Sequence, residues 1–305
     1  INLVGAVMTS NELFLNVISH LPVESIIALY SVSKRFYWYF NSFYTTFVLA
    51  VIRQNCAYAE RIWPWRTYPS LCIPDPARRP HPFAHMAARP TYHGARPVAS
   101  LRYLQMVLYR HKSVLQIWGL LCKAGHNLPK AVIPVIGKLW YLMDIGTNAL
   151  RIGTIHCAKY FSNNELELAM LFFMKLDMRF NDPVSGHGST SLRERLLGER
   201  SMSTLLKTLK REALTSKIDL IRLHVAYDYK DRNPAYAHLP MFGIQAQFVS
   251  RGNLEHWGRS DYAANAPVPM VQLLRPDQLV LKESVRRQMH LERKVMDYLL
   301  YGFLD

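Results

Sequence analysis

Apolar positions near the start of the chain recur at helical spacing and are interrupted at short intervals. Leu13, Val17 and Leu21 share one helical face, with Phe14 and Ile18 beside them. Thr9 and Glu12 have capping-box spacing ahead of this run, and Pro22 predicts its end. Ser25 is placed to cap a second helix carrying Ile26, Ile27 and Leu29. Ser33 is placed to open a third, whose stripe runs Phe36, Phe40, Tyr44, Phe47 and Val51. Helices this short gain stability from packing on one another or on a partner.

The pattern changes over 73–98, where Pro74, Pro76, Pro80, Pro82, Pro90 and Pro97 interrupt any helix. Arg78, Arg79, Arg89 and Arg96 add charge there against Asp75 alone, which predicts a linker or a long surface loop. The helical period then returns. Leu101, Leu104, Leu108, Leu115 and Trp118 form one stripe, and Val107, Val114, Ile117 and Leu121 a second, so this helix is expected to be central. Pro129 marks a helix start ahead of Val132, Ile136, Leu139 and Met143. Ser162 with Glu165, and Ser191 with Glu194, have capping-box spacing; the first precedes the apolar run Leu166 to Phe173. Leu205, Leu206 and Leu209 line a helix whose outer face holds Lys207, Lys210 and Arg211.

Residues 230–275 read as irregular, with Pro234, Pro240, Pro267 and Pro269. After Pro276 a last helix is predicted to bury Leu281, Val285, Met289, Met296 and Leu300. Strand-like alternation is sparse, with Phe242 to Val249 the best candidate, and no repeat of fixed period supports a solenoid or propeller. The expected fold is mainly α. A three-helix unit spans 1–56, a connecting segment 57–98 is Pro/Arg-rich from 73, and a larger helical domain spans 99–305.

Composition narrows the function classes. Of 305 residues, 50% are apolar, which favours a folded chain, and a net charge of +15 favours acidic partners. The four cysteines (Cys56, Cys72, Cys122 and Cys157) include no CxxC pair, so reduced and mostly buried thiols in the cytoplasm or nucleus are expected. The most apolar stretch, Phe47 to Ile52, is far short of the roughly 20 residues of a membrane span, so no membrane association is expected. The opening INLVGAVM lacks the charged start of a signal peptide.

The stretch Glu12–Phe36, ELFLNVISHLPVESIIALYSVSKRF, resembles the F-box family. Glu12-Leu13, Leu21-Pro22, and Val32-Ser33-Lys34 with Phe36 stand at the family's spacings, and no insertion separates Pro22 from Val32. Ser25 replaces the usual Asp, and Thr9-Ser10 replaces the family's opening Leu-Pro. The remainder is similar to filamentous-fungal F-box proteins with an uncharacterised C-terminal domain. That likeness rests on Tyr68 to Ile73 followed by Asp75-Pro76, on Phe173 to Phe180, and on Leu274 to Leu279. It implies a chain trimmed before Ile1 rather than a fusion.

The resemblance implies docking of an apolar face against a helical groove of a Skp-type adaptor, and through it a cullin. Leu13, Ile18, Leu21, Pro22, Ile26, Leu29, Val32 and Phe36 are the candidates for that face. Helical spacing leaves open which contact the adaptor and which close the motif's own core; an even split is expected.

Other motifs carry less. His81, His85 and His93 near Cys72 could supply zinc ligands, but without a CxxC or helical HxxxH pair a solvated loop is the reading, and no metal or cofactor is expected. Ser185-Gly186-His187-Gly188-Ser189 lacks the Lys of a phosphate-binding loop and the elbow of a serine nucleophile, and reads as a turn. In Lys175-Leu176-Asp177-Met178-Arg179-Phe180, Asp177 is expected to pair with a buried arginine, Arg151 or Arg179. Trp63-Pro64-Trp65-Arg66 suits either a partner surface or core packing.

The leading expectation is a substrate receptor of a Skp–cullin–F-box ubiquitin ligase, performing no bond chemistry itself. Its target is expected to be a protein, acidic or phosphorylated, held with help from Lys207, Lys210 and Arg211. The alternatives are an F-box-like scaffold acting without the cullin, and a basic nucleic-acid-binding protein, which the lack of any recognition motif disfavours. An enzyme is not expected, because no catalytic constellation can be named.

Overall fold

The computed structural model describes residues 10–77, 96–184, 186–187, 191–227, 229, 238–250, 252, 254–255, 271–291, 294 and 296–298. The predicted roles of Thr9, Arg78, Arg79, Pro80, His81, Pro82, His85, Arg89, Pro90, His93, Ser185, Gly188, Ser189, Pro234, Pro267, Pro269 and Leu300 lie outside them. The fold is mainly α, and the chain divides into two compact units, Ile1–Lys112 and Ser113–Asp305.

The first unit opens with α1 (Asn11–His20), α2 (Val23–Val32), α3 (Lys34–Ser42), α4 (Tyr44–Asn55) and the single turn α5 (Ala59–Ile62). Ser10 caps α1, its hydroxyl accepting from the Leu13 N–H. Pro22, not Ser25, is the residue before α2; its fixed φ suits a helix entry, and Ser25 becomes the third helical residue. Ser33 caps α3 as predicted, accepting from the Phe36 N–H at 3.3 Å. The predicted third helix is two, because Phe43 leaves the helical region at φ −123° and ψ 25°. The stripe survives the break: Phe36, Phe40, Tyr44, Phe47 and Val51 are all buried. α1 packs on α4 and α2 on α3. Phe14 sits among Phe36, Tyr39 and Phe47 with ring centroids 4.7–5.3 Å apart.

Two short antiparallel strands follow, β1 (Cys72–Pro74) and β2 (Pro97–Ala99), with Ile73 opposite Val98. The Asp75 N–H extends the pairing to the Arg96 carbonyl at 2.8 Å. The residues flanking 78–95 are therefore held side by side within the first unit. α6 (Leu101–Lys123) then contributes to the same core. The Leu101 N–H donates to the Tyr44 hydroxyl at 3.0 Å, and the Tyr103 hydroxyl donates to the Trp63 carbonyl at 2.5 Å. Trp63 is fully buried, so that aromatic belongs to the core and not to a partner surface. The unit division falls inside α6, between Lys112 and Ser113, rather than at the residue 98/99 boundary drawn from composition.

The second unit holds the rest of α6, then α7 (Val132–Asp144), α8 (Asn148–His156), α9 (Asn163–Phe180), α10 (Leu192–Leu197), α11 (Ser203–Leu209), α12 (Lys217–Tyr227) and α13 (Pro276–Arg286). α9 packs against α7, α10 and α13, and its apolar run is buried from Leu166 through Phe173 apart from Glu167 and Met170. Of the two stripes on α6, the second is the buried one, with Val107, Val114, Ile117 and Leu121 each inaccessible; Leu104 joins them from the first. The Ser162–Glu165 capping box forms in both directions: the Glu165 N–H donates to Ser162 Oγ, and the Ser162 N–H donates to Glu165 Oε2.

Three expectations fail here. Ser191 precedes α10 at φ −104° and ψ 10° and makes no side-chain cap, and the Glu194 carboxylate pairs with Arg275 at 2.8 Å. Phe242–Val249 is not a strand: Phe242 (φ 49°) and Gly243 (φ 81°) form a two-residue turn closed by Met241 and Ile244, and Ala246–Phe248 is a 3-10 turn. α13 presents the opposite face to the one predicted, burying Leu279, Val280, Glu283 and Ser284 while Leu281 and Val285 stand 51% and 69% exposed. Glu283 repays burial by serving two guanidinium groups, which no apolar residue can do.

Candidate functional site

Helices of 10, 10 and 9 residues carry the F-box-like positions, and their packing divides those positions. Ile18, Ile26 and Phe36 are buried and close the unit's own core. Leu21 and Leu29 are half-buried. Leu13, Pro22 and Val32 face solvent, Leu13 at 56% and Val32 at 85% exposure. The reason lies in α1: Phe14 and Ile18 turn inward to the aromatic cluster, which leaves Leu13 and Val17 on the outer side. Leu13 and Val17 of the predicted stripe are thus on the outer face, while Leu21, just past the end of α1, is half-buried.

Sequence reading missed Trp38, which is 69% exposed on α3 beside Tyr37. Its position between the buried Phe36 and Phe40 places it off the stripe, and that offset was the available signal. A shallow groove of about 520 Å³ lies on the same unit, lined by Leu15, Thr45, Thr46, Leu49, Ala50, Arg53 and Gln54. Arg53 at its rim is paired with Glu60 at 2.8 Å.

In the second unit Lys207, Lys210 and Arg211 are exposed, but they do not share a helix face. α11 ends at Leu209, and Arg211 takes a left-handed φ of 62°. The Arg211 N–H returns to the Thr208 carbonyl and the Glu212 N–H to the Lys207 carbonyl, a Schellman ending with arginine where glycine is usual. Asp177 pairs with Arg193 at 2.8 Å rather than with Arg151 or Arg179. Arg193 also reaches Asp277 at 2.9 Å, and Arg275 joins Asp277 to Glu194, so three segments, α9, α10 and the start of α13, are cross-linked by one network. Arg151 donates instead to the carbonyls of Met143, Ile145 and Leu274. Burial lowers its pKa to about 10.

Other buried charges are satisfied locally. Lys138 donates to the Tyr160 carbonyl and to Glu165 Oε1 at 2.6 Å. Burial pushes the Glu165 carboxyl up, but hydrogen bonds from Lys138 and Ser162 overcome it and leave it below the usual carboxylate range. Glu283 behaves alike: burial raises it, Arg286 and Arg287 pull it down, and the net is a depressed carboxyl. Burial pushes Glu199 up to about 7 against a hydrogen bond with Thr204. Cys56 is buried, Cys72 and Cys122 are half-buried, and Cys157 is exposed, in contrast to the mostly buried set expected. Among the described residues no group of histidine, cysteine and acidic side chains is disposed to hold a metal ion. No helix among them is long and apolar enough to cross a membrane.

No family model, curated protein or solved structure matches this chain.

Proposed function

We propose that the chain is a substrate-receptor subunit of a Skp–cullin–F-box ubiquitin ligase, its first unit docking the adaptor and its second unit holding a protein target. The observation that supports this is the exposure of Leu13, Pro22 and Val32. These are F-box-like positions that the unit's own core does not use. Apolar side chains held outward on short helices lose water-exposed area only when a partner covers them. The reading places the protein in the cytoplasm or nucleus, where such ligases act.

The test is calorimetric titration of the full chain with a Skp-type adaptor. Val32→Glu and Leu13→Glu change surface positions, so thermal unfolding is expected to stay within a degree or two of the parent. Each is expected to weaken binding tenfold or more, at about 2 kcal/mol for an interface anchor. A parent protein that releases no heat with the adaptor overturns the reading. Ser10 supplies a polar cap where the family's Leu-Pro would add apolar surface, and this favours a second reading, an adaptor-bound scaffold without the cullin. Failure of the cullin to co-purify with an intact adaptor complex would select it.

A further inference from the structure

The outer face of α3 carries residues that the fold of the first unit does not use. Lys34 and Arg35 open the helix, and both are exposed. The start of a helix favours acidic side chains, so two cations there work against the helix dipole. Among the described residues neither meets a carboxylate, and no acidic residue stands between Glu24 and Glu60 in the sequence. Trp38 comes four residues after Lys34 and three after Arg35, so the three side chains are neighbours on the helix surface. Tyr37 is exposed beside it, the two rings edge to face at 5.4 Å. Tyr37 in turn packs on Tyr30 of α2 at 4.9 Å, and the Tyr30 hydroxyl donates to Asn41 Oδ1 at 2.9 Å. Asn41 is buried, so the aromatic strip is pinned to the interior of the unit while Trp38 stays in water.

We propose that this face, Lys34, Arg35, Tyr37 and Trp38, binds an acidic patch of the Skp-type adaptor, with Trp38 filling an apolar pocket rimmed by carboxylates. The inference rests on the adaptor reading and adds to it a face outside the F-box-like positions, apart from Lys34. Val32, the last residue of α2, joins the two, since Ser33 after it caps α3. Charge complementarity selects the partner. The stretch 25–59 holds three cations and no acidic residue, so a second copy of this face is repelled and a surface covering α3 has to bring the negative charge. Tryptophan and tyrosine give large contact area for few frozen torsions, and arginine pairs with carboxylates through two parallel hydrogen bonds, which is why these residues anchor protein interfaces. A nucleic-acid strand needs a cationic groove along its backbone, whereas α3 offers two cations on a convex helix.

The test titrates the full chain with the adaptor by calorimetry at about 50 and about 500 mM salt, and follows association by stopped flow. The parent is expected to bind about tenfold more weakly at the higher salt. Lys34→Glu with Arg35→Glu is expected to slow association about tenfold and to flatten that salt dependence. Glutamate suits the start of a helix, so the double variant keeps its fold, as circular dichroism would verify. Trp38→Ala changes an exposed position and is expected to speed dissociation about tenfold with the salt dependence unchanged. Lys207→Glu with Lys282→Glu, the same charge change in the second unit, is expected to bind like the parent. If Leu13→Glu weakens binding but either α3 variant binds like the parent, the α3 face is overturned and the adaptor reading stands. A parent that does not bind the adaptor overturns both. Equal slowing in the second-unit control assigns the effect to net charge and also overturns the proposal. So does a single-stranded RNA that the parent retains and the double α3 variant loses while adaptor binding is unmoved.

Discussion

Glu283 shows how far one residue can redirect an element. Its carboxylate accepts from Arg286 at 2.6 and 2.7 Å and from Arg287 at 2.5 Å, and His156 lies 3.3 Å away. Arg287 in turn holds the carbonyls of Ile155 and Phe161. Removing one member of a buried ion pair typically costs about 3 kcal/mol, so Glu283→Gln is expected to lower stability by roughly that amount at neutral pH. The pH dependence has a definite sign. Glu283 is depressed on folding, so its contribution is full above the unfolded carboxylate value of about 4.3 and is lost as pH falls through its lower folded value. Denaturant unfolding from pH 7 to 3 should therefore show the parent and Glu283→Gln converging in acid. Glu199, raised by burial, acts in the opposite direction between that value and about 7, which is why the difference between the two proteins is the quantity to follow. A constant difference across the range would remove Glu283 from this role.

At the scale of elements, the same sequence signal has two outcomes. Ser162-x-x-Glu165 and Ser191-x-x-Glu194 are equivalent as text, yet the first forms both hydrogen bonds of a capping box and the second forms no side-chain cap. Ser162→Ala is expected to cost about 1 kcal/mol, and Ser191→Ala to fall within about 0.5 kcal/mol of the parent, measured by chemical denaturation. Equal losses would mean that Ser191 caps in solution. The helix starts at Ser33 and Ser162, the stripe from Phe36 to Val51, and the buried Val132, Ile136, Leu139 and Met143 were legible in sequence because local spacing alone decides them. The outward turn of Leu281 and Val285 was not, because Arg287 and the neighbouring α8 decide it.

At the scale of the molecule, the first unit extends well beyond the F-box-like stretch. Tyr44 relies on the Leu101 N–H, and the buried Trp63 and Tyr103 complete the core around α4 and α5. A fragment ending at Cys56 loses those partners. Circular dichroism is expected to show it weakly helical and without a cooperative thermal transition, whereas the full chain unfolds cooperatively. A cooperative transition in the short fragment would show the motif helices to be self-sufficient. For the same reason adaptor binding is best measured on the full chain.

The sequence by itself determined the mainly α fold, several helix starts, those after Ser33, Ser162 and Ser191 among them, and the set of apolar positions in the F-box-like stretch. These follow from period, capping chemistry and the punctuation of proline, all of which act over a few residues. Tertiary structure alone decided which of those positions turn outward: Ile18, Ile26 and Phe36 went to the core and Leu13, Pro22 and Val32 to the surface. It also decided that Asp177 meets Arg193. The physical reason is range: a helix face is set by neighbours three or four residues away. The choice between two apolar faces, or between several arginines for one carboxylate, is set by groups tens to a hundred residues distant that meet only after folding.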